Sequence, residues 1–128
     1  PLYSSAASDV YKRQAPTPIE AVKLIRSAGG VAVIAHPFAS RRGQILGVDD
    51  FTDLVTAGLN GIEVDHRDQN PSERAMLRVI ASELDLVVTG SSDYHGTGKL
   101  NSLAENHTDR AQWEKLEAQA NARRVISQ

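Results

Sequence analysis

The chain has 128 residues, with 14 basic and 16 acidic side chains and no cysteine. This length suits one ordinary domain and falls short of the roughly 200 residues of a complete (β/α) barrel. The absence of cysteine excludes disulfides, thiolate zinc sites and iron–sulfur clusters, and the near-neutral charge argues against charge-driven nucleic-acid binding. We therefore expect neither sequence-specific DNA binding nor, from the short apolar runs, a membrane partner, and we predict a cytoplasmic protein.

The first 14 residues, PLYSSAASDVYKRQ, have neither the period of a helix nor that of a strand. We expect residues 1–14 to be a non-native or disordered tail and place the folded domain at 15–128.

Regular patterns begin at Thr17–Glu20, a capping box with proline at the first helical position. Helical spacing of apolar residues continues to Gly29–Gly30, which end the helix. The apolar, β-branched run Val31–Ala35 follows, as in a parallel strand buried on both faces. This strand ends at His36–Pro37.

The same cycle follows twice more. An apolar stripe at 51–59 predicts a second helix before the strand Gly61–Val64, and the capping box Asn70–Glu73 predicts a third helix before the strand Leu86–Thr89. A last helix is predicted from about Asp109.

Helices that alternate with apolar strands predict an α/β fold of three parallel strands joined by right-handed crossovers. Three such strands form half a barrel or a fragment of an open sheet. In both architectures ligands bind at the carboxyl ends of the strands.

Three histidines, His36, His66 and His95, each follow one of these strands, 30 and 29 residues apart. Asp93 lies two positions before His95, so both side chains can face one side of an extended segment. Imidazole and carboxylate together suit Zn²⁺, Mn²⁺ or Fe²⁺, and a centre of two or three ions would activate water for attack at phosphorus. The alternative is that the histidines are solvated and that Asp93 only forms a turn.

Three motifs, AGGVAVIAHP at 28–37, GIEVDH at 61–66 and GSSDYHG at 90–96, resemble those of the PHP (polymerase and histidinol phosphatase) metal-dependent phosphoesterases. The resemblance covers about residues 17–108. It is strongest to the bacterial branch that acts on nucleoside 3′,5′-bisphosphates and on short RNA from the 5′ end.

The resemblance implies the C-terminal portion of a distorted (β/α)7 TIM-like barrel with up to three divalent ions, Mn²⁺, Zn²⁺ or Fe²⁺. It implies that Asp93 is a ligand of the first metal, His36 of the second and His95 of the third. The family's earlier ligands include a His-x-His motif that this sequence lacks. We therefore interpret 15–128 as a partial PHP domain whose N-terminal half is missing.

The expected substrate is a small phosphorylated molecule, either a nucleotide or a short RNA end. Residues that could bind its phosphate or base are His66, Arg41, Arg42 and Arg67, since guanidinium groups hold phosphate oxygens bidentately. The alternatives are a turn histidine and solvated arginines.

Other polar and aromatic residues are predicted to lie outside the site. Glu63 lies mid-strand and is expected to face a neighbouring helix layer. The resemblance implies that the family's bridging glutamate is a different residue, in the missing half. Tyr94 and Trp113 are expected to pack in the interior, and His107 to lie at the surface.

The sequence therefore predicts a metal-dependent phosphoesterase that hydrolyses phosphate esters through activated water, with this chain inactive by itself. One alternative is a non-catalytic half-barrel that binds a partner. The other is a metal-dependent amidohydrolase that acts on C–N bonds.

Overall fold

A computed structural model describes residues 15–43 and 46–120 of the chain, without the side chain of Arg42. The tail expected at 1–14 and the phosphate contact expected of Arg42 therefore lie outside the described residues.

Helices and strands alternate in the predicted order. The helices are α1 (Pro18–Ser27), α2 (Val48–Ala57), α3 (Pro71–Glu83) and α4 (Arg110–Glu117). The strands are β1 (Ala32–Ile34), β2 (Leu59–Asp65) and β3 (Val87–Gly90), with short 3-10 turns at Ser40–Arg42 and Gly96–Gly98.

Both capping boxes form as the sequence predicts. Thr17 caps α1 and Asn70 caps α3 through a side-chain oxygen that accepts the backbone N–H three residues later. In each box the glutamate at that position accepts the N–H of the cap residue in return, at 2.8 Å from Thr17 and 2.6 Å from Asn70. These bonds satisfy backbone donors that the first helical turn leaves unpaired.

The three strands form one parallel sheet in the order β1-β2-β3. Successive strands advance in one direction, so right-handed crossovers place the helices on one face of the sheet. The helices α1 and α2 pack on each other, while α3 packs on β2 and β3 and α4 packs on β3. The fold is therefore α/β and matches part of a TIM-like barrel, as predicted.

The apolar core lies between the sheet and the helices. Ile62 and Val64 of β2 are fully buried in it, together with Phe51 of α2 and Leu77 of α3. Since side chains alternate along a strand, Glu63 points to the opposite face. The expectation that Glu63 faces the helix layer is therefore wrong.

Three predictions of burial are also wrong. Val33 of β1 is 37% exposed while its neighbour Ala32 is buried, so this strand is not buried on both faces. Tyr94 and Trp113 are 52% and 49% exposed instead of packed inside. The side chain of His107 is 74% exposed, as predicted.

Among the described residues, no helix combines the length and the apolar character that crossing a membrane requires.

Candidate metal centre

Imidazole and carboxylate groups meet at the carboxyl ends of the three strands. His36 follows β1, Glu63 and His66 lie at the end of β2, and Asp93 and His95 follow β3. Parallel pairing brings these ends to one edge of the sheet. This is the convergence that the positions of the histidines predict.

The tightest part of the site is a group of three side chains. One ligand atom from each of His36, Glu63 and His66 lies within 4.8 Å of the other two, close enough to hold a metal ion. The backbone N–H of His36 also donates to Oε2 of Glu63 at 2.8 Å. Glu63, only 9% exposed, therefore links the end of β1 to β2.

Two of the predicted ligands have unusual backbone conformations. His36 has a φ of 29° and Asp93 a φ of 49°, both in the left-handed region. Residues other than glycine adopt this region rarely, although His and Asp do so more often than most. Such strain persists only where surrounding contacts enforce it, and it concentrates at functional sites.

His66 is fully buried at the centre of the site. Its Nδ1 accepts the backbone N–H of Asp68 at 3.1 Å, and its ring centroid lies 4.7 Å from that of His36. Its Nε2 lies 3.6 Å from Oδ2 of Asp93. His66 therefore contacts ligand candidates from both neighbouring strands.

Asp93 supplies the carboxylate on the β3 side of the site. Its Oδ2 accepts a 2.6 Å hydrogen bond from Nζ of Lys99, and its side chain is 22% exposed. The hydroxyl of Ser91 accepts the Asp93 backbone N–H. A metal ion that used this oxygen would have to displace the lysine.

His95 is more exposed, at 57% of its side chain. Its Nδ1 lies 2.6 Å from the backbone carbonyl of Asp93. A carbonyl oxygen can only accept, so Nδ1 carries the proton and donates it there. In the neutral ring, Nε2 then keeps its lone pair. Metal-binding histidines adopt this tautomer when a carbonyl orients them.

The arginines predicted to contact phosphate lie on separate loops, Arg41 after β1 and Arg67 after β2. Arg41 is exposed in the turn Ser40–Arg42. Arg67 donates to Oδ1 of Asn101 at 3.0 Å and lies 3.4 Å from Glu105. Arg67 thus contacts the loop that follows β3, and Asn101 in turn donates to the backbone oxygens of Ser92 and Asp93.

Sequence reasoning missed two buried polar residues that build the site, Glu63 and Gln69. The Oε1 of Gln69 accepts the N–H of Phe38 at 3.0 Å, and its Nε2 donates to the carbonyls of Glu63 and Val64. Strand parity could have identified Glu63, since Ile62 and Val64 are the apolar residues on either side of it. Gln69 lies in a turn, where the sequence carries no signal of burial.

Comparisons with known proteins support the resemblance predicted from the motifs. No family model matches the chain. Over 77 residues the chain is 43% identical to a curated protein of Eggerthella lenta named phosphoribosyl 1,2-cyclic phosphate 1,2-diphosphodiesterase, an alignment that covers 60% of this chain and 28% of that protein.

Two solved structures share the fold. A crystal structure from Bifidobacterium adolescentis, provisionally described as a metal-dependent phosphoesterase, matches with a TM-score of 0.79 and 37% identity over 84% of this chain and 38% of that one. An amidohydrolase structure from Chromobacterium violaceum, with bound sulfate and no metal, matches with a TM-score of 0.61 and 28% identity over 81% of this chain and 37% of that one.

The similarity to metal-dependent phosphoesterases is therefore confirmed, and it is consistent with the PHP type. The chain spans 28% of the length of the curated relative and under two-fifths of each structural relative.

Proposed function

We propose that this chain supplies part of the metal centre of a metal-dependent phosphoesterase, with His36, Asp93 and His95 as ligands of divalent cations. The observation that carries the proposal is the meeting of imidazoles and carboxylates from three consecutive strand ends at one edge of the sheet. The similarity to a diphosphodiesterase and to a metal-dependent phosphoesterase supports the same chemistry.

The donor set fits Mn²⁺, Zn²⁺ or Fe²⁺, which imidazole and carboxylate ligands accommodate. Divalent ions bound there would lower the pKa of water and neutralise charge at a phosphoryl group. The chain's own residues hold these ligands in place: Glu63 fixes the backbone of His36, and the carbonyl of Asp93 orients the ring of His95.

We propose a small phosphorylated substrate, with a nucleotide or a short RNA 5′ end as the first candidates. The name of the Eggerthella lenta relative adds a ribose cyclic phosphate to them. Arg41, Arg42 and Arg67 are the proposed phosphate contacts, because guanidinium groups pair with phosphate oxygens. The pairing of Arg67 with Glu105 would have to open for it to bind substrate.

The test is phosphodiester hydrolysis by the full-length protein with added Mn²⁺. We expect turnover of bis(4-nitrophenyl) phosphate that EDTA abolishes, a large loss in Asp93→Asn, and little change in Asp53→Asn, whose carboxylate is exposed on α2. Equal activity of Asp93→Asn and wild type would overturn the ligand assignment. Nucleoside 3′,5′-bisphosphate, 5′-phosphorylated RNA and a ribose 1,2-cyclic phosphate then rank the substrates.

An amidohydrolase is the second candidate, favoured by the structural match to the Chromobacterium violaceum protein. Both reactions need activated water, so the metal centre alone does not separate them. Cleavage of 4-nitroacetanilide in the same assay, with no hydrolysis of the phosphodiester, would favour this candidate. Metal binding without turnover of either substrate would favour a non-catalytic module.

A further inference from the structure

Two histidines of the metal centre are fixed in opposite tautomers by the backbone. Nδ1 of His95 donates to a carbonyl, which leaves the lone pair of Nε2 for a metal. Nδ1 of His66 accepts the N–H of Asp68 at 3.1 Å, so the lone pair of this ring is already used. The remaining nitrogen of His66, Nε2, must then carry the proton.

A protonated Nε2 cannot bind a metal ion, because the ligand atom of an imidazole is the nitrogen with a lone pair. It can only donate, and Oδ2 of Asp93 lies 3.6 Å away, which is longer than a hydrogen bond but close enough for the carboxylate to attract the N–H. His66 lies close enough to His36 and Glu63 to share a metal ion with them. Its tautomer nevertheless indicates that it is not itself a ligand.

The surroundings of His66 also argue against contact with substrate. The side chain is fully buried, whereas the ligand candidates His36 and Asp93 are partly exposed. The backbone carbonyl of His66 accepts a 2.7 Å hydrogen bond from Arg74 of α3, which holds the residue from the helix side.

We infer that His66 is a positioning residue, which directs Nε2–H at the carboxylate of Asp93 and packs its ring against His36. This inference rests on the proposed metal centre and refines it: His66 orients two ligands and is neither a ligand nor a substrate contact. Groups that orient ligands in this way change metal affinity by about 10- to 100-fold when removed.

The test compares two variants of the full-length protein with side chains of similar length. His66→Gln keeps an N–H donor for Asp93 but has no imidazole, and His66→Met has neither. We expect Mn²⁺ affinity, measured by isothermal titration, to stay near the wild-type value in His66→Gln and to fall about 10- to 100-fold in His66→Met. His107→Met, at an exposed histidine, is the matched control and should not change the affinity.

Each alternative role gives a different result, and each would overturn the inference. A ligand role predicts loss of a bound ion in both variants. A substrate role predicts wild-type Mn²⁺ affinity in both, with a raised KM. A purely structural role predicts a lower melting temperature in His66→Met with unchanged affinity.

A second measurement is made on the wild-type protein, and a variant serves only to assign the signal. In ¹⁵N-labelled wild-type protein, with His66→Gln used to assign the signal, we expect Nε2 of His66 to be protonated both without metal and with Zn²⁺. Loss of that proton on adding Zn²⁺ would show that His66 is a ligand. Failure of the wild type to bind either ion would instead overturn the proposed function itself, and the inference with it.

Discussion

At the scale of single residues, the contact between Lys99 and Asp93 bears most directly on metal affinity. Nζ of Lys99 lies 2.6 Å from Oδ2 of Asp93, on a carboxylate that we propose as a metal ligand. A metal ion that uses this oxygen competes with the lysine. The loss of one partly exposed, charge-assisted hydrogen bond is worth roughly 0.5–1.5 kcal/mol, or about 2- to 10-fold in binding.

We therefore predict that Lys99→Met tightens Mn²⁺ binding by about 2- to 10-fold. Isothermal titration measures the change, and Lys115→Met on the exposed face of α4 is the control. Weaker binding in Lys99→Met would mean that the lysine supports the site rather than competing with the ion.

The carboxylate of Glu63 supports the strained backbone of His36. Replacing Glu63 with alanine removes the acceptor of the His36 N–H, and an unsatisfied polar group of this kind costs roughly 1–3 kcal/mol. Glu63→Gln keeps an oxygen acceptor, so we expect it to lose less. Urea unfolding of both variants measures the difference, and equal losses would show that this hydrogen bond is not the cause.

At the scale of elements, the capping box of α1 predicts a pH dependence. Hydrogen bonds from the backbone and side chain of Thr17 hold the pKa of Glu20 below its ordinary value of 4.5. A lowered pKa in the folded state means that ionised Glu20 stabilises the fold above pH 4.5. This contribution declines as the pH falls from there towards the lower folded-state pKa.

We expect wild type to be more stable than Glu20→Gln at pH 7, with the difference shrinking as the pH falls below 4.5. Urea unfolding at pH 7, 5 and 3.5 tests this. A difference that stays constant or grows on acidification would contradict the assigned hydrogen bonds.

The elements differ in how much of them the sequence predicts. Capping boxes at Thr17 and Asn70 are local, so they and the helices they begin can be located from a few residues. The exposure of Val33 depends on which parts of the chain cover each face of β1. An apolar run alone therefore could not predict it.

For the site, the sequence predicts where the side chains lie but not how their hydrogen bonds are arranged. Strand ends give the positions of His36, Asp93 and His95, because parallel pairing brings those ends together. The tautomers of His66 and His95 depend on backbone groups whose placement only the folded chain reveals.

At the scale of the whole molecule, the described residues leave apolar surface along β1. A cavity of about 190 Å³ lies between α1 and β1, and it is lined by apolar side chains that include Val22, Ile25 and Val33. Edge strands with such surface tend to pair with other chains. We predict that the 128-residue chain associates in solution as its concentration rises.

Val33→Lys should reduce this association, because a charged side chain on an edge strand opposes pairing. Sedimentation velocity at several concentrations measures it, with Val79→Lys, on the exposed surface of α3, as the control. A wild-type chain that stays monomeric at every concentration and melts cooperatively would contradict this prediction.

The central claim is that the three strand ends form a metal centre, and equilibrium dialysis against Mn²⁺ tests it most directly. We predict that the full-length protein retains Mn²⁺, that Asp93→Asn loses at least one bound ion, and that Asp53→Asn matches wild type. No retention by wild type, or equal retention by Asp93→Asn, would contradict the claim.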